Sequence, residues 1–332
     1  MNKIGLLLLL SLATAAPAQQ TGSGASAAAA APADSVSANQ SIPEGTLPNA
    51  NSFPVEQVQM PTRADLYCSG FVSKQMEPTR SYVLGGLESP SDTKFTSGDA
   101  IYLTGGPYQI GQRYRIVREL HDMNRYEMFP GQTVLVKAAG QPYSDVALIQ
   151  IIDTRNKTAI ARITFSCDTV SPGDLAIPFA EKEAVVFHSP FRFDRFAPPN
   201  GKLSGRILLA KDFDSELGSG GKVYLNVGAN QGVKVGDYFR AVRSYETDLK
   251  DPVDSLYFKA ALSEDTQAKP PSIDPKFGTK TSGPTIHVAD FPRRAVGEIV
   301  IIATTPTTAT GMVVFAMEDI LIGDGVEMDE QR

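Results

Sequence analysis

Histidine is scarce in this chain: three in 332 residues, His121, His188 and His287. None is spaced as a metal-binding pair such as H-x-x-x-H, and all fall in loop-like or connector sequence, which argues against a histidine-centred zinc or acid–base site. The G-x-S-x-G elbow of serine hydrolases is missing. The one glycine-rich run, Gly218–Val223, lacks the spacing and the hydroxyl after lysine that a phosphate loop requires, and reads as a turn before a strand. Asp212, Asp214 and Glu216 alternate like the start of a calcium loop. However, the sixth position is Leu217 where glycine is needed and the twelfth is Val223 where a bidentate glutamate is needed, so a solvated acidic turn is the reading. A basic surplus is lacking too: 31 Lys and Arg stand against 37 Asp and Glu, for a net charge of −6. With a pI near 5.2 there is no electrostatic case for a nucleic-acid partner or an anionic membrane surface. No cofactor and no metal are expected.

A long apolar run is also absent. The amino terminus, MNKIGLLLLLSLATAAPAQQ, has Lys3 ahead of a short apolar stretch, Ile4–Ala13, and a small-x-small triplet at Ala16-Pro17-Ala18. This pattern predicts a signal peptide over residues 1–18, cleaved after Ala18, and a mature protein that is periplasmic or secreted and not an integral membrane protein. The stretch is too short for a permanent anchor, and no cysteine follows the cleavage site to carry a lipid. Cysteine itself is limited to Cys68 and Cys167. In an oxidising compartment an even count favours a disulfide closing a loop of about 100 residues; two buried thiols acting as small hydrophobes are the alternative. Residues 19–62 are rich in Ala, Ser, Gly and Pro and almost devoid of large apolar side chains. Ordering them would cost backbone entropy that no burial offsets, so a disordered linker is expected.

What is present is a repeat. Residues 149–174, IQIIDTRNKTAIARITFSCDTVSPGD, align without a gap to residues 299–324, IVIIATTPTTATGMVVFAMEDILIGD, with nine identities in 26 positions, where background composition gives roughly one or two. The identical pairs are Ile149/Ile299, Ile151/Ile301, Ile152/Ile302, Thr154/Thr304, Thr158/Thr308, Ala159/Ala309, Phe165/Phe315, Gly173/Gly323 and Asp174/Asp324. Upstream, Tyr102/Tyr224, Leu103/Leu225, Gly111/Gly236, Arg115/Arg240, Val117/Val242 and Arg118/Arg243 pair once a loop three residues longer is allowed in the second copy. A duplicated module follows.

Within residues 63–180 the runs DLYCSGFVS, SYVLGGLES, DAIYLTGG, RYRIVREL, TVLVKAA, ALIQIID, TAIARITFS and GDLAIPF are short, rich in β-branched and aromatic residues, and separated by turn formers. They predict antiparallel strands with no helical period anywhere in the module. Asp153–Thr158 and Ala303–Thr308 read as equivalent hairpin turns, the second marked by Pro306. Gly173, Asp174, Gly232, Gly236, Asp237, Gly323 and Asp324 are expected at tight turns, glycine for positive φ and aspartate to accept an amide hydrogen bond. Residues 181–202 form a connector with Phe187, Phe191, Phe193 and Phe196 alternating with polar residues. Packing between the modules is one reading. An aromatic binding strip of Phe191, Phe193 and Phe196, with His188 and Arg192 adding polar contacts, is the other. The second module, 203–329, carries an insertion at residues 244–295, read as a floppy excursion in which VDSLYFKAAL, residues 253–262, has the pattern of one short amphipathic helix.

Asn226, Gly228, Gly232, Val233, Gly236 and Asp237, followed by Gly297-Glu298, Ala309, Gly323-Asp324 and Val326, carry a further reading. Over residues 203–329 the chain resembles the carboxy-terminal domain of flagellar assembly protein T and related small β-barrel modules of exported bacterial envelope proteins. The first module resembles it less, with Gln112 where that pattern has the Asp of its first Gly-Asp turn. The resemblance implies a non-catalytic envelope component, in a family sometimes joined to peptidoglycan-binding LysM modules. The expectation is an all-β protein of two tandem, duplicated antiparallel barrels behind a linker, acting as a binding or scaffolding part of the envelope with envelope proteins or peptidoglycan as partners. The alternatives are a binding module for cell-wall glycan and a carboxylate-dependent glycoside hydrolase, which needs no histidine.

Overall fold

The computed structural model describes residues 58–329 apart from 76, 79, 90, 122–126, 187–192 and 245–291. The chain opens with helix α1 (Arg63–Tyr67), then strands β1 (Phe71–Ser73), β2 (Tyr82–Gly86), β3 (Ala100–Thr104) and β4 (Arg113–Glu119). Helix α2 (Gln132–Ala139) precedes β5 (Gln141–Arg155), β6 (Thr158–Ser166) and β7 (Leu175–Pro178). The second half holds β8 (Ser204–Ala210), β9 (Glu216–Leu217), β10 (Lys222–Leu225), β11 (Tyr238–Arg243), β12 (Arg294–Thr304), β13 (Ala309–Ala316), β14 (Ile320–Leu321) and β15 (Gly325–Met328).

These strands close into two six-stranded antiparallel barrels. The first runs β5-β4-β7-β2-β3-β6 and back to β5, with β1 added at the outside of β5. The second runs β12-β11-β15-β8-β10-β13 and back to β12. Strand for strand the two orders are the same, and so are their irregularities. The β4–β5 register shifts between Ile116 and Val117, and β11–β12 between Ala241 and Val242. Both long hairpins shift twice, at Leu148/Ile149 and Ile151/Asp153 in one and at Glu298/Ile299 and Ile301/Ala303 in the other. Bulges bend a strand and increase its twist, so repeating them repeats the curvature that closes each barrel. The lone bridge between Phe95 and Val170 becomes the two-residue pairing of β9 with β14 in the second copy.

Alternation explains the interiors. In the first barrel Ile101 and Leu103, Tyr114 and Ile116, Ile149 and Ile151, and Ala159, Ala161 and Ile163 point inward and form one buried cluster. In the second, Ile207, Val223, Leu225, Phe239, Ala241, Ile299, Ile301 and Val313 do the same.

Several expectations need correction. TVLVKAA is helix α2 and not a strand. Its β-branched residues favour a strand by propensity, but Gly131 and Gly140 bracket it at positive φ, and its Leu135, Val136 and Ala139 pack against the second barrel. That tertiary contact outweighs propensity. DLYCSGFVS is also not one strand. Thr62 caps α1, its hydroxyl accepting from the Asp65 amide while the Asp65 carboxylate accepts from the Thr62 amide, so the chain makes one helical turn before β1. The expected linker ends too late: the Gln59 amide already donates to the Val314 carbonyl on β13. Residues 19–57 and the amphipathic segment 253–262 lie outside the described residues, and the insertion ends before Arg294, where β12 begins. Among the described residues no helix is long and apolar enough to cross a membrane.

Candidate functional site

The polar chemistry of the described residues gathers in three places: a strap between the barrels, the paired Gly-Asp turns, and the outer face of the second barrel.

The strap is residues 58–73, and it fastens both barrels. On the second barrel, Asp65 pairs with Lys222 at 2.8 Å, the Thr308 hydroxyl donates to the Val72 carbonyl at 2.6 Å, and the Thr310 hydroxyl donates to the Gly70 carbonyl at 3.1 Å. On the first, β1 pairs with β5 and Cys68 is bonded to Cys167 with Cα atoms 5.5 Å apart. The expected disulfide is therefore present, although Cys68 lies at the end of α1 and not on a strand. Gly70, at φ +65°, passes so close to Tyr224 that a Cβ would collide with its hydroxyl. Only glycine fits there.

Under the strap lies a buried ionic knot. Asp145 is 1% exposed and faces Arg115 at 3.3 Å and Lys182 at 3.5 Å. It also accepts from the Gly70 amide and the Ser69 hydroxyl. Burial pulls the Lys182 ammonium below its ordinary pKa and the Arg115 charge adds to that, while Asp145 opposes both. A serine beside a lysine is a nucleophile–base arrangement. Here the lysine donates to Ser69 at 3.0 Å and to the Leu66 carbonyl, and Ser69 has no exposed surface. The knot therefore clamps the strap to the first barrel.

The Gly-Asp turns are the second place. Asp174 takes a bidentate bond from Arg118, 2.8 Å at each oxygen, and accepts the Ser171 amide. Asp324 takes the same fork from Arg243, at 2.9 and 2.8 Å, and accepts the Leu321 amide. Each arginine also caps a carbonyl, of Thr169 or Asp319. Gly173 and Gly323 supply the positive φ, as do Gly232 and Gly236, and Asp237 accepts the Lys234 amide. In the first copy Gln112 takes that part, accepting the Gln109 amide. All seven turn residues thus serve backbone geometry. The arginine partners were visible only as repeat identities, because nothing in the sequence joins Arg118 to Asp174 across 56 residues.

No protein-family model matches the chain, and a search of curated proteins finds no match to it.

The third place is the outer face of β11, β12 and β13. Tyr238, Val300, Ile302, Met312, Val314 and Phe315 form an apolar sheet face, covered by Val58 and Leu66 of the strap and by Val185 and Phe193 of the connector. Phe193 meets Phe315 edge-on at 4.7 Å, with the Arg240 guanidinium 5.5 Å from its ring. This is packing, so Phe193 is not a free binding ring. Phe196 remains 56% exposed beside Arg195, and Phe191 and Arg192 lie outside the described residues. Beside this face Arg240 pairs with Asp329 and Arg293 with Glu327. Glu298 is buried opposite Arg240 in the β11–β12 pairing, its carboxyl pushed up to about 7 by burial and by Asp329, against the pull of Arg240. A glutamate that holds its proton near neutrality is the group a glycoside hydrolase would use as acid, but this one is 2% exposed. The described residues contain no group of three or more His, Cys, Asp or Glu side chains placed to hold a metal.

Proposed function

We propose that this chain is an exported, non-catalytic scaffold of the bacterial cell envelope, holding envelope proteins through the surfaces of its two barrels. The observation that carries this reading is how the polar groups are used. Asp145–Lys182, Arg118–Asp174 and Arg243–Asp324 are each spent on fastening chain to chain, which suits a rigid spacer better than a reaction centre. The Cys68–Cys167 bridge suits an oxidising compartment, in keeping with the signal-peptide pattern. The resemblance of residues 203–329 to the carboxy-terminal domain of flagellar assembly protein T supports the envelope assignment.

The test is fractionation followed by crosslinking in intact cells. The reading expects the chain in the periplasmic or secreted fraction, processed at Ala18, with crosslinks to envelope proteins. Recovery in the cytoplasm with its first residues retained would end it. Sedimentation with purified peptidoglycan would move the reading to glycan binding.

A further inference from the structure

The knot under the strap is not something the barrel itself requires. Val117 pairs with Asp145 across β4–β5, and its repeat partner Val242 pairs with Ala295 across β11–β12. The second barrel thus closes with alanine where the first buries a carboxylate. Asp145 calls for another explanation, and the groups around it supply one.

The Lys182 Nζ lies 3.5 Å from Oδ2 of Asp145, and the lysine side chain is only 15% exposed. The Ser69 hydroxyl bridges the two, accepting from Nζ at 3.0 Å and donating to Oδ2 at 3.4 Å. That is a proton path from the amine to the carboxylate. The other carboxylate oxygen, Oδ1, takes no hydrogen bond among the described residues and faces Arg115 Nε at 3.3 Å. A guanidinium there is placed to stabilise negative charge developing on Oδ1. The Tyr67 ring lies 5.8 Å from Nζ and the Phe71 ring lies beneath Arg115, so the four groups sit among aromatic side chains. In such surroundings a charged pair is costly. Passing the proton from Lys182 through Ser69 to Asp145 relieves that cost and leaves a neutral amine beside a neutral carboxyl group.

We propose that Lys182 and Asp145 condense within the folded protein into an amide, a covalent crosslink from the connector to β5. The Nζ attacks Cγ of Asp145 and the C–N bond forms. The bond from Cγ to Oδ2 then breaks, and Oδ2 departs as water with two of the three hydrogens of the original ammonium. The Gly70 amide, which donates to Oδ2 at 3.0 Å, helps that oxygen leave. The hydrogen left on Nζ keeps the Leu66 carbonyl, 2.5 Å away, as its acceptor. Condensation is unfavourable between free molecules in water, but groups held in one orientation react at effective concentrations of roughly 10⁵–10⁸ M. Cys167 lies between the crosslinked positions, so the strap's disulfide attaches to a segment already closed at both ends. The crosslink does not depend on the envelope reading, because it concerns only groups inside one chain.

The experiment is mass spectrometry of the purified full chain, its fold first verified by circular dichroism, and of its protease fragments after reduction. Lys182→Arg, which keeps the charge and loses the reactive amine, is the reference. After allowance for the substitution, the natural chain should be lighter than this variant by one water. Digestion should give a branched fragment joining the segment with Asp145 to the segment with Lys182. Ser69→Ala should show a smaller crosslinked fraction at the same time after synthesis. A folded natural chain that keeps the full mass on long incubation at neutral pH overturns the proposal, as does a lost water that maps to other residues. Crosslinking as fast in Ser69→Ala as in the natural chain overturns the serine relay.

Discussion

The two barrels are built alike and housed differently. The first fills its interior with side chains of its own module, from Val83 to Ala176. The second takes in Phe129, a residue of the first module with no exposed surface, alongside Ile207, Leu225 and Phe239, and Arg206 lies over that ring. The outer face of the second barrel is covered by strap and connector, whereas the first leaves Leu84 and Ile152 in contact with water. Ile152 and Ile302 show it most directly: they are identical partners in the repeat, one 38% exposed and the other 1%. Duplication copied the residue and not its neighbours, so the second barrel should lean on the first for stability far more than the reverse.

The largest test of that asymmetry removes the strap's covalent anchor. Replacing Cys68 and Cys167 by serine frees a loop of 99 residues, worth about 4–5 kcal/mol by loop-closure entropy. Urea melts should show the loss in both barrels, because the strap holds both. Next is Phe129→Ala, expected to cost about 3–5 kcal/mol as a large buried ring is lost. Hydrogen exchange should report it at β8 and β11 of the second barrel, and loss of protection confined to the first barrel would contradict the unequal housing.

A sharper comparison uses the duplicated anchors. Asp324→Asn should cost about 3 kcal/mol, because Arg243 is almost fully buried and keeps only the longer pairing with Glu318 at 3.5 Å. Asp174→Asn should cost only about 1–2 kcal/mol, because the Arg118 side chain is one-third exposed and water can serve it. Equal costs in thermal melts would show that burial is not what separates the two. A different kind of effect concerns pH. The folded pKa of Glu298 is raised to about 7 from an ordinary 4.5, so between these values the folded state holds a proton that the unfolded state has released. Stability should therefore fall as pH rises from about 4.5 to about 7, by roughly 2–3 kcal/mol. In Glu298→Gln this part of the pH dependence should vanish, with no counterpart in the first barrel, where Leu148 holds the equivalent position.

The sequence made the strands, the hairpin turns and the repeat legible because alternation and glycine placement act locally. Cys68 and Cys167 were legible by count and compartment. Helix α2 was hidden because its Thr133-Val134-Leu135-Val136 run carries strand-forming residues, and what turns it into a helix is a barrel that lies further along the chain. Phe129 was hidden for a related reason: it has no repeat partner, and its burial belongs to another module's core. The knot of Asp145, Lys182 and Arg115 joins residues from three separate runs, and no spacing rule links them.

The strap also decides how the molecule would carry a pull. Tension entering ahead of Val58 meets the second barrel first, through Gln59 and Asp65, and would peel these contacts one after another. Peeling stops at Cys68, where the load passes through a covalent bond to the end of β6 on the first barrel. A force of that kind would unfasten about ten residues and then find the first barrel anchored, so the disulfide acts as a mechanical stop that limits how far the molecule can be drawn open from its amino-terminal side.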